Sequence, residues 1–223
     1  MSDFRAVITG ASRGLGAALT EALATRGAHV LAVAQNGPRL YERVSAWQAL
    51  GYRVDGYDAD IADKAAATPI AAVANEVLGS VNLLVHCAAT LGPTPLVNLL
   101  DTNCEDLERA LLVNVVGPFR LTKHLARSMI LQGGGTIVHV TSDAATAAYP
   151  TWGPYSASKV AHAHLQRIWA TEVEALRFLN FDPGEMDTDM HHDALPNADR
   201  KTLRRPSDAA AELIQLIDQL KGA

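Results

Sequence analysis

Thr9-Gly10-Ala11-Ser12-Arg13-Gly14-Leu15-Gly16 follows directly on the apolar run Phe4 to Thr9 and leads into a helical pattern from Ala17 to Arg26. Strand, glycine turn and helix in that order open a βαβ unit. Glycines in such a turn let the backbone bend tightly and come close to a pyrophosphate. The negative charge then meets free N–H groups and the positive end of the helix dipole. The glycine spacing departs from the commoner G-x-G-x-x-G arrangement, so the position at the first strand–helix junction is what makes a dinucleotide the expected ligand.

Working outward, short apolar runs from Phe4 to Thr9, His29 to Ala34, Tyr52 to Tyr57, Asn82 to His86, Thr136 to Val140 and Leu176 to Asp182 read as strands. Helical patterns separate them. Gly27, Gly51 and Gly79 each stand between the end of a helical pattern and a strand, where a left-handed residue without a Cβ is wanted. Strands this apolar, joined by long crossovers, predict a parallel sheet covered on both faces. The expected fold is a Rossmann-type, doubly wound α/β domain of six to seven mostly parallel strands, formed by residues 1–223 as one unit. The Gly133-Gly134-Gly135 run reads as a tight loop.

A chain of 223 residues with 48% hydrophobic content suits one substantial core. The net charge of -5 gives no broad attraction for phosphate backbones, so no nucleic-acid partner is expected. The one basic run, Arg200, Lys201, Arg204 and Arg205, reads as decoration of a solvated loop or helix end. The chain opens Met1-Ser2-Asp3 with no basic leader, and no apolar run is long enough to span a membrane, so a soluble cytoplasmic protein is expected. Cys87 and Cys104 are expected to be reduced, with no disulfide and no metal site.

Chemistry enters with Tyr155 and Lys159, four apart at the start of a long helical pattern, and with Ser142, thirteen residues before Tyr155 at the end of the fifth strand. On a helix the pair shares one face, and the ammonium is expected to lower the phenol's pKa. A tyrosine so tuned can protonate a developing alkoxide or deprotonate an alcohol, with Ser142 bonding the same oxygen. After the third strand, Asp63 reads as a helix N-cap, and Asp60 either turns the chain or accepts from an adenine amine. After the second strand, Gln35-Asn36-Gly37 carries no acid to bind an adenosine ribose.

Together these motifs resemble the short-chain dehydrogenase/reductase family over about residues 4–220. The resemblance implies a cofactor turn at Gly10, Ser12, Arg13, Gly14, Leu15 and Gly16, and an adenine contact at Asp60 and Ile61. It implies Ala88 and Ala89 beside the cofactor, and a nicotinamide-side loop at Pro183, Gly184, Met186 and Thr188. It makes Tyr155 the acid/base, gives Lys159 a further contact to the nicotinamide ribose, has Asn114 hold a relaying water, and completes the active site with Ser142. The expected activity is hydride transfer between a nicotinamide cofactor and a small carbonyl or alcohol. NADP(H) is favoured over NAD(H), because Arg13 stands ready for a 2′-phosphate and no acid follows strand two.

The sequence also departs from the family pattern. His86-Cys87-Ala88-Ala89 stands where Asn-Asn-Ala-Gly is usual, which puts one local hydrogen bond in doubt. The usual last strand is not expected after the helical pattern from Ala209 to Leu220, so a homodimer is expected rather than a tetramer. Its surface is expected on the helices bearing Asn114 and Tyr155, with Leu121, Leu125, Met129, Leu165, Ile168 and Trp169 as candidates. His191 and His192 read as surface residues. Tyr149 and Trp152 fit either the pocket or the core. The alternative to an enzyme is a catalytically idle, dinucleotide-sensing regulator, against which the intact Ser142, Tyr155, Lys159 and Asn114 speak.

Overall fold

The computed structural model describes residues 4–221, so the opening residues 1–3 lie outside it. Six strands, β1 (Arg5–Thr9), β2 (His29–Ala34), β3 (Val54–Asp58), β4 (Leu83–His86), β5 (Gly135–Val140) and β6 (Leu176–Phe181), form one sheet among the described residues. The order is β3-β2-β1-β4-β5-β6, and every neighbouring pair is parallel.

Alternation along the strands divides the core in two. Ala6, Ile8, Val30 and Ala32 face one cluster, while Val7, Leu31 and Val33 face the other. Helices α1 (Gly14–Thr25), α2 (Gly37–Ala49) and α8 (Pro206–Lys221) cover the first face. Helices α3 (Ala67–Leu78) and α5 (Gly117–Leu131) cover the second. Leu19 and Leu23 of α1 are fully buried, and each such side chain contributes about 1.5–3 kcal/mol. Helices α4 (Cys104–Leu111), α6 (Gly153–Glu172) and α7 (Asp189–Ala194) complete the chain, with one π turn at Leu112–Val116.

Gly27 and Gly51 end α1 and α2 with φ of 86° and 82°, as expected. Elsewhere the elements shift. Strand β3 starts at Val54 because the Tyr52 N–H is taken by Trp47 O, closing the end of α2. Asp63 does not cap α3, which begins at Ala67; its carboxylate accepts from Ala65 N at 2.9 Å and holds its own turn. Leu121, Leu125 and Met129 are at most 1% exposed, so these three belong to the core and not to an interface.

The chain runs outward from β1 through β2 and β3, then returns to place β4 on the other side of β1. In an open parallel sheet the crevice at such a reversal, outside the carboxyl ends of the strands, receives the ligand. Thr9 and His86 are in register there, so the glycine turn and the segment after β4 emerge side by side.

Candidate active site

The two segments touch so closely that only glycine fits. A Cβ on Gly10, whose φ is +70°, would lie 2.7 Å from Ala88 N, and one on Gly16 would collide with Gly10 O. Thr9 Oγ1 accepts from Ala88 N at 3.2 Å, and His86 Nε2 pairs with Thr122 Oγ1 at 2.8 Å. These bonds hold the segment in which the family pattern has asparagines. Helix α1 starts after Arg13, which makes no side-chain cap, so no side chain closes its first turn.

A cavity of about 510 Å³ runs from this turn to the far end of the sheet edge. Ser12, Arg13, Gly14, Leu15, Gln35, Asp60, Ile61, Ala88 and Ala89 line it, as do Pro183, Gly184, Met186 and Thr188 on the facing loop. Ser142, Tyr155 and Lys159 line it as well. The structure thus brings the expected cofactor and catalytic residues to one cavity, apart from Asn114. The dinucleotide fits these surroundings on an observation independent of any motif: the absent Cβ atoms of Gly10 and Gly16 bring bare backbone up to an uncapped helix start. Asp60 has partners of its own, accepting from Ala62 N at 2.9 Å and pairing with Arg109 at 2.7 Å. Burial pushes its carboxyl upward, but Arg109 and the Ala62 N–H outweigh this and hold it below the usual value.

Ser142 caps the short turn Asp143–Ala145, accepting from Ala144 N at 3.2 Å. Its hydroxyl donates to Asp143 Oδ1 at 2.9 Å, and Tyr149 Oη donates to Asp143 Oδ2 at 2.7 Å. The Tyr149 bond, more than any other cause, keeps the Asp143 carboxyl below its usual value, so it is an anion at neutral pH. Trp152 stands between Tyr149 and Tyr155, with ring centroids 6.4 and 5.6 Å away. Tyr149 and Trp152 therefore belong to the pocket wall.

Tyr155 is 8% exposed. Burial pushes its phenol up to about 12; the Ser142 hydroxyl pulls it down, and the charges of Asp182 and Asp143 push it further up. This corrects the expectation that Lys159 lowers it. The ammonium lies 5.4 Å from the ring centroid and donates to Val140 O at 2.6 Å, so its charge is directed at the strand end. Burial lowers Lys159 itself to about 8, with Cys87 and Asp182 pulling the other way.

Beneath Lys159 lies a layer that local sequence patterns did not reveal. His86 of β4, His139 of β5 and His162 of α6 are all buried, with the His139 and His162 rings 3.5 Å apart. Burial is the largest cause holding all three below the usual histidine value, His86 down to about 3, so all are neutral. Asn114, in the π turn, is 1% exposed. Its side chain accepts from Thr90 N at 2.8 Å and donates to Thr90 O at 2.9 Å and Ser158 Oγ at 2.8 Å, clamping the loop after β4 to α6.

At the rim, Thr188 caps α7 by accepting from His191 N, and its methyl group faces Gly14. The next residue, Asp189, meets Arg13 at 3.5 Å and Arg39 at 3.2 Å. Arg39 was invisible to motif reading because it stands in α2, one turn beyond the strand end. His191 lines the cavity, whereas His192 bonds Asp187 at 2.8 Å; no cluster suited to a metal ion occurs among the described residues. Arg200, Lys201 and Arg205 of the basic run are exposed, as expected of a solvated stretch, while Arg204 pairs with Glu212 at 2.6 Å and donates to Pro183 O.

With this geometry in place, comparison with known proteins decides the family: the model for short chain dehydrogenases matches residues 5–199. The chain belongs to the short-chain dehydrogenase/reductase family. It is an oxidoreductase of that family, built for a nicotinamide cofactor. Among its relatives is the 2,3-dihydro-2,3-dihydroxybenzoate dehydrogenase of Bacillus subtilis, 33% identical over 187 residues that span 83% of this chain and 70% of that protein. Two solved structures of the same fold are a 7α-hydroxysteroid dehydrogenase complexed with NADH and an alcohol dehydrogenase from Thermococcus sibiricus complexed with 5-hydroxy-NADP. The first has a TM-score of 0.85 at 28% identity, covering 95% of this chain and 86% of that one. The second has a TM-score of 0.85 at 26% identity, covering 96% and 89%. Among the described residues no helix is long and apolar enough to cross a membrane.

Proposed function

We propose that this short-chain dehydrogenase is an NADPH-dependent carbonyl reductase, acting in the cytoplasm as one domain, with Tyr155 as its acid/base. The observation that carries the reading is the cavity in which Tyr155, Ser142 and Lys159 share one space with the bare glycine turn. The turn with Ser12, Leu15, Asp60 and Ile61 would hold the adenosine end, and Ala88, Ala89, Lys159 and the loop of Pro183, Gly184, Met186 and Thr188 the nicotinamide end. A reduced nicotinamide held there would supply the hydride for the carbonyl carbon. Tyr155 gives its proton to the oxygen, so a carbonyl becomes an alcohol. Ser142 would orient that oxygen by turning its hydroxyl from Asp143 to the substrate, Lys159 would hold ribose hydroxyls beside the phenol, and Asn114 fixes the π turn and loop through which a relaying water would pass. A panel of aldehydes, ketones and secondary alcohols, followed by nicotinamide absorbance, tests the reading. Turnover of at least one carbonyl is expected, and inactivity across the panel with both cofactors would reject it.

The preference for NADPH rests on Arg13 and Arg39, two guanidiniums that already converge on the single anion Asp189, and on Gln35 where an acid would repel a 2′-phosphate. NADPH is expected to bind at least about tenfold more tightly than NADH in fluorescence titrations, since each charge-assisted bond contributes about 1.5–3 kcal/mol. Arg13→Ala should erase most of that difference. Equal affinity of the wild type for the two cofactors would contradict the assignment.

A homodimer is proposed on the outer face of α5 and α6. There Phe119 and Ile168 are exposed, and Phe119 packs against Trp169 at 5.6 Å. Light scattering at micromolar concentration is expected to give twice the chain mass, and a monomer would reject the dimer.

A further inference from the structure

The far end of the cavity is both aromatic and acidic. From the reacting phenol outward the rings run Tyr155, Trp152, Tyr149. Asp143, Asp182 and Glu185 line the cavity with them. Their placement is mutual: Asp143 and Asp182 both act on Tyr155, and the same two with Glu185 act on Tyr149, so these carboxylates lie about the two phenols.

The charge of this end is offset by the protein only in part, through Lys159 acting on Asp182. Of the cavity's cations, Arg109 is paired with Asp60 at 2.7 Å and Arg13 with Asp189 at 3.5 Å, both on the side of the glycine turn. Lys159 alone stands beside Tyr155, and it donates to Val140 O. Among the described residues no cation pairs with Asp143, Asp182 or Glu185 within 4.0 Å. Asp143 is itself oriented, since Ser142 and Tyr149 each donate to one of its oxygens.

Building on the carbonyl-reductase reading, we infer that the substrate is an organic ammonium compound whose cationic group lies against Trp152 and Tyr149, with Asp143 as its counter-ion and its carbonyl at Tyr155. Indole and phenol faces attract a cation through their negative quadrupole, most strongly where water is excluded. The surrounding carboxylates raise the local concentration of cations and repel anions. The same charges therefore exclude carboxylate, sulfonate and phosphate substrates that a neutral pocket of this size would admit.

The test uses the full chain with NADPH and three matched methyl ketones. One bears a trimethylammonium group, one its neutral tert-butyl isostere, and one a carboxylate in the same place. The expected order of kcat/KM is cation, neutral, anion, with at least about tenfold between the first two, as one cation–π contact with a nearby carboxylate supplies. Asp143→Asn and Glu185→Gln together are expected to bring that ratio close to one. The neutral ketone serves as the control for folding and for the integrity of Ser142. Rising salt should lower kcat/KM for the cation and raise it for the anion. A neutral or anionic ketone preferred over the cation, or a cation preference untouched in the double variant, would overturn the inference while leaving the carbonyl-reductase reading standing. Absence of turnover with every carbonyl, charged or not, would instead defeat that underlying reading and this inference with it.

Discussion

Replacing Tyr155 with phenylalanine is expected to lower kcat by about 10²- to 10⁴-fold while leaving cofactor affinity within about threefold. The change removes one hydroxyl and keeps the ring that packs edge-on against Trp152. No neighbour is placed to replace the lost donor. Ser142 donates its hydrogen bond to one oxygen of Asp143, and Tyr149 donates to the other. His139 and His162 are held neutral by burial and do not line the cavity. Steady-state kinetics beside a fluorescence titration of cofactor separate chemistry from binding. Near wild-type turnover in the variant would remove Tyr155 from the mechanism.

Lys159→Met is expected to abolish useful turnover and yet stabilise the cofactor-free protein. Lys159 is 3% exposed, and burial lowers it from 10.5 to about 8. Between those values the unfolded chain binds more protons than the folded one, so stability rises with pH across that window. Below about pH 8 both states carry the proton, and the full cost of burying the ammonium applies, about 3 kcal/mol. Methionine fills the same space without charge. Loss of the charge-assisted bond to Val140 O offsets about 2 kcal/mol of the gain. A net gain of about 1 kcal/mol at pH 7 should raise Tm by about 2–4 °C. The difference should shrink as pH climbs from 8 toward 10.5. Thermal unfolding of both proteins at pH 7 and pH 10 checks this, and a variant less stable than wild type at pH 7 would contradict it. A catalytic group kept at the expense of stability is the expected pattern for a working site.

The fold was legible because its signals are local. Gly10 must be glycine both for its positive φ and for the approach of Ala88, and the strand after it alternates between two buried faces. Tyr155 and Lys159 share a helix face by spacing, and it is their co-occurrence with Ser142 at a strand end and the glycine turn after the first strand that marks them. What stayed hidden depends on tertiary contact. Arg39 reaches Asp189 across 150 residues, and nothing near either position marks the pair. Asp143 becomes the partner of Tyr149 only because Ser142 caps a tight turn that brings the chain back. His86, His139 and His162 come from three separate elements and read singly as strand or helix residues. The direction of the Tyr155 pKa is hidden for the same reason. Spacing places a cation nearby, but burial and the charges of Asp182 and Asp143 decide the outcome, and no spacing rule reports them.

The central claim, that this chain delivers a hydride to a carbonyl carbon and a proton from Tyr155 to its oxygen, is tested most directly by isotope transfer. Wild-type protein is given NADPH deuterated on the transferred C4 position and a ketone that it turns over, in ordinary water. The account predicts one deuterium on the carbinol carbon of the alcohol, with the same position fully protonated when unlabelled NADPH is used in heavy water. Carbinol hydrogen drawn from solvent, or cofactor label retained on the nicotinamide while alcohol accumulates, would contradict it.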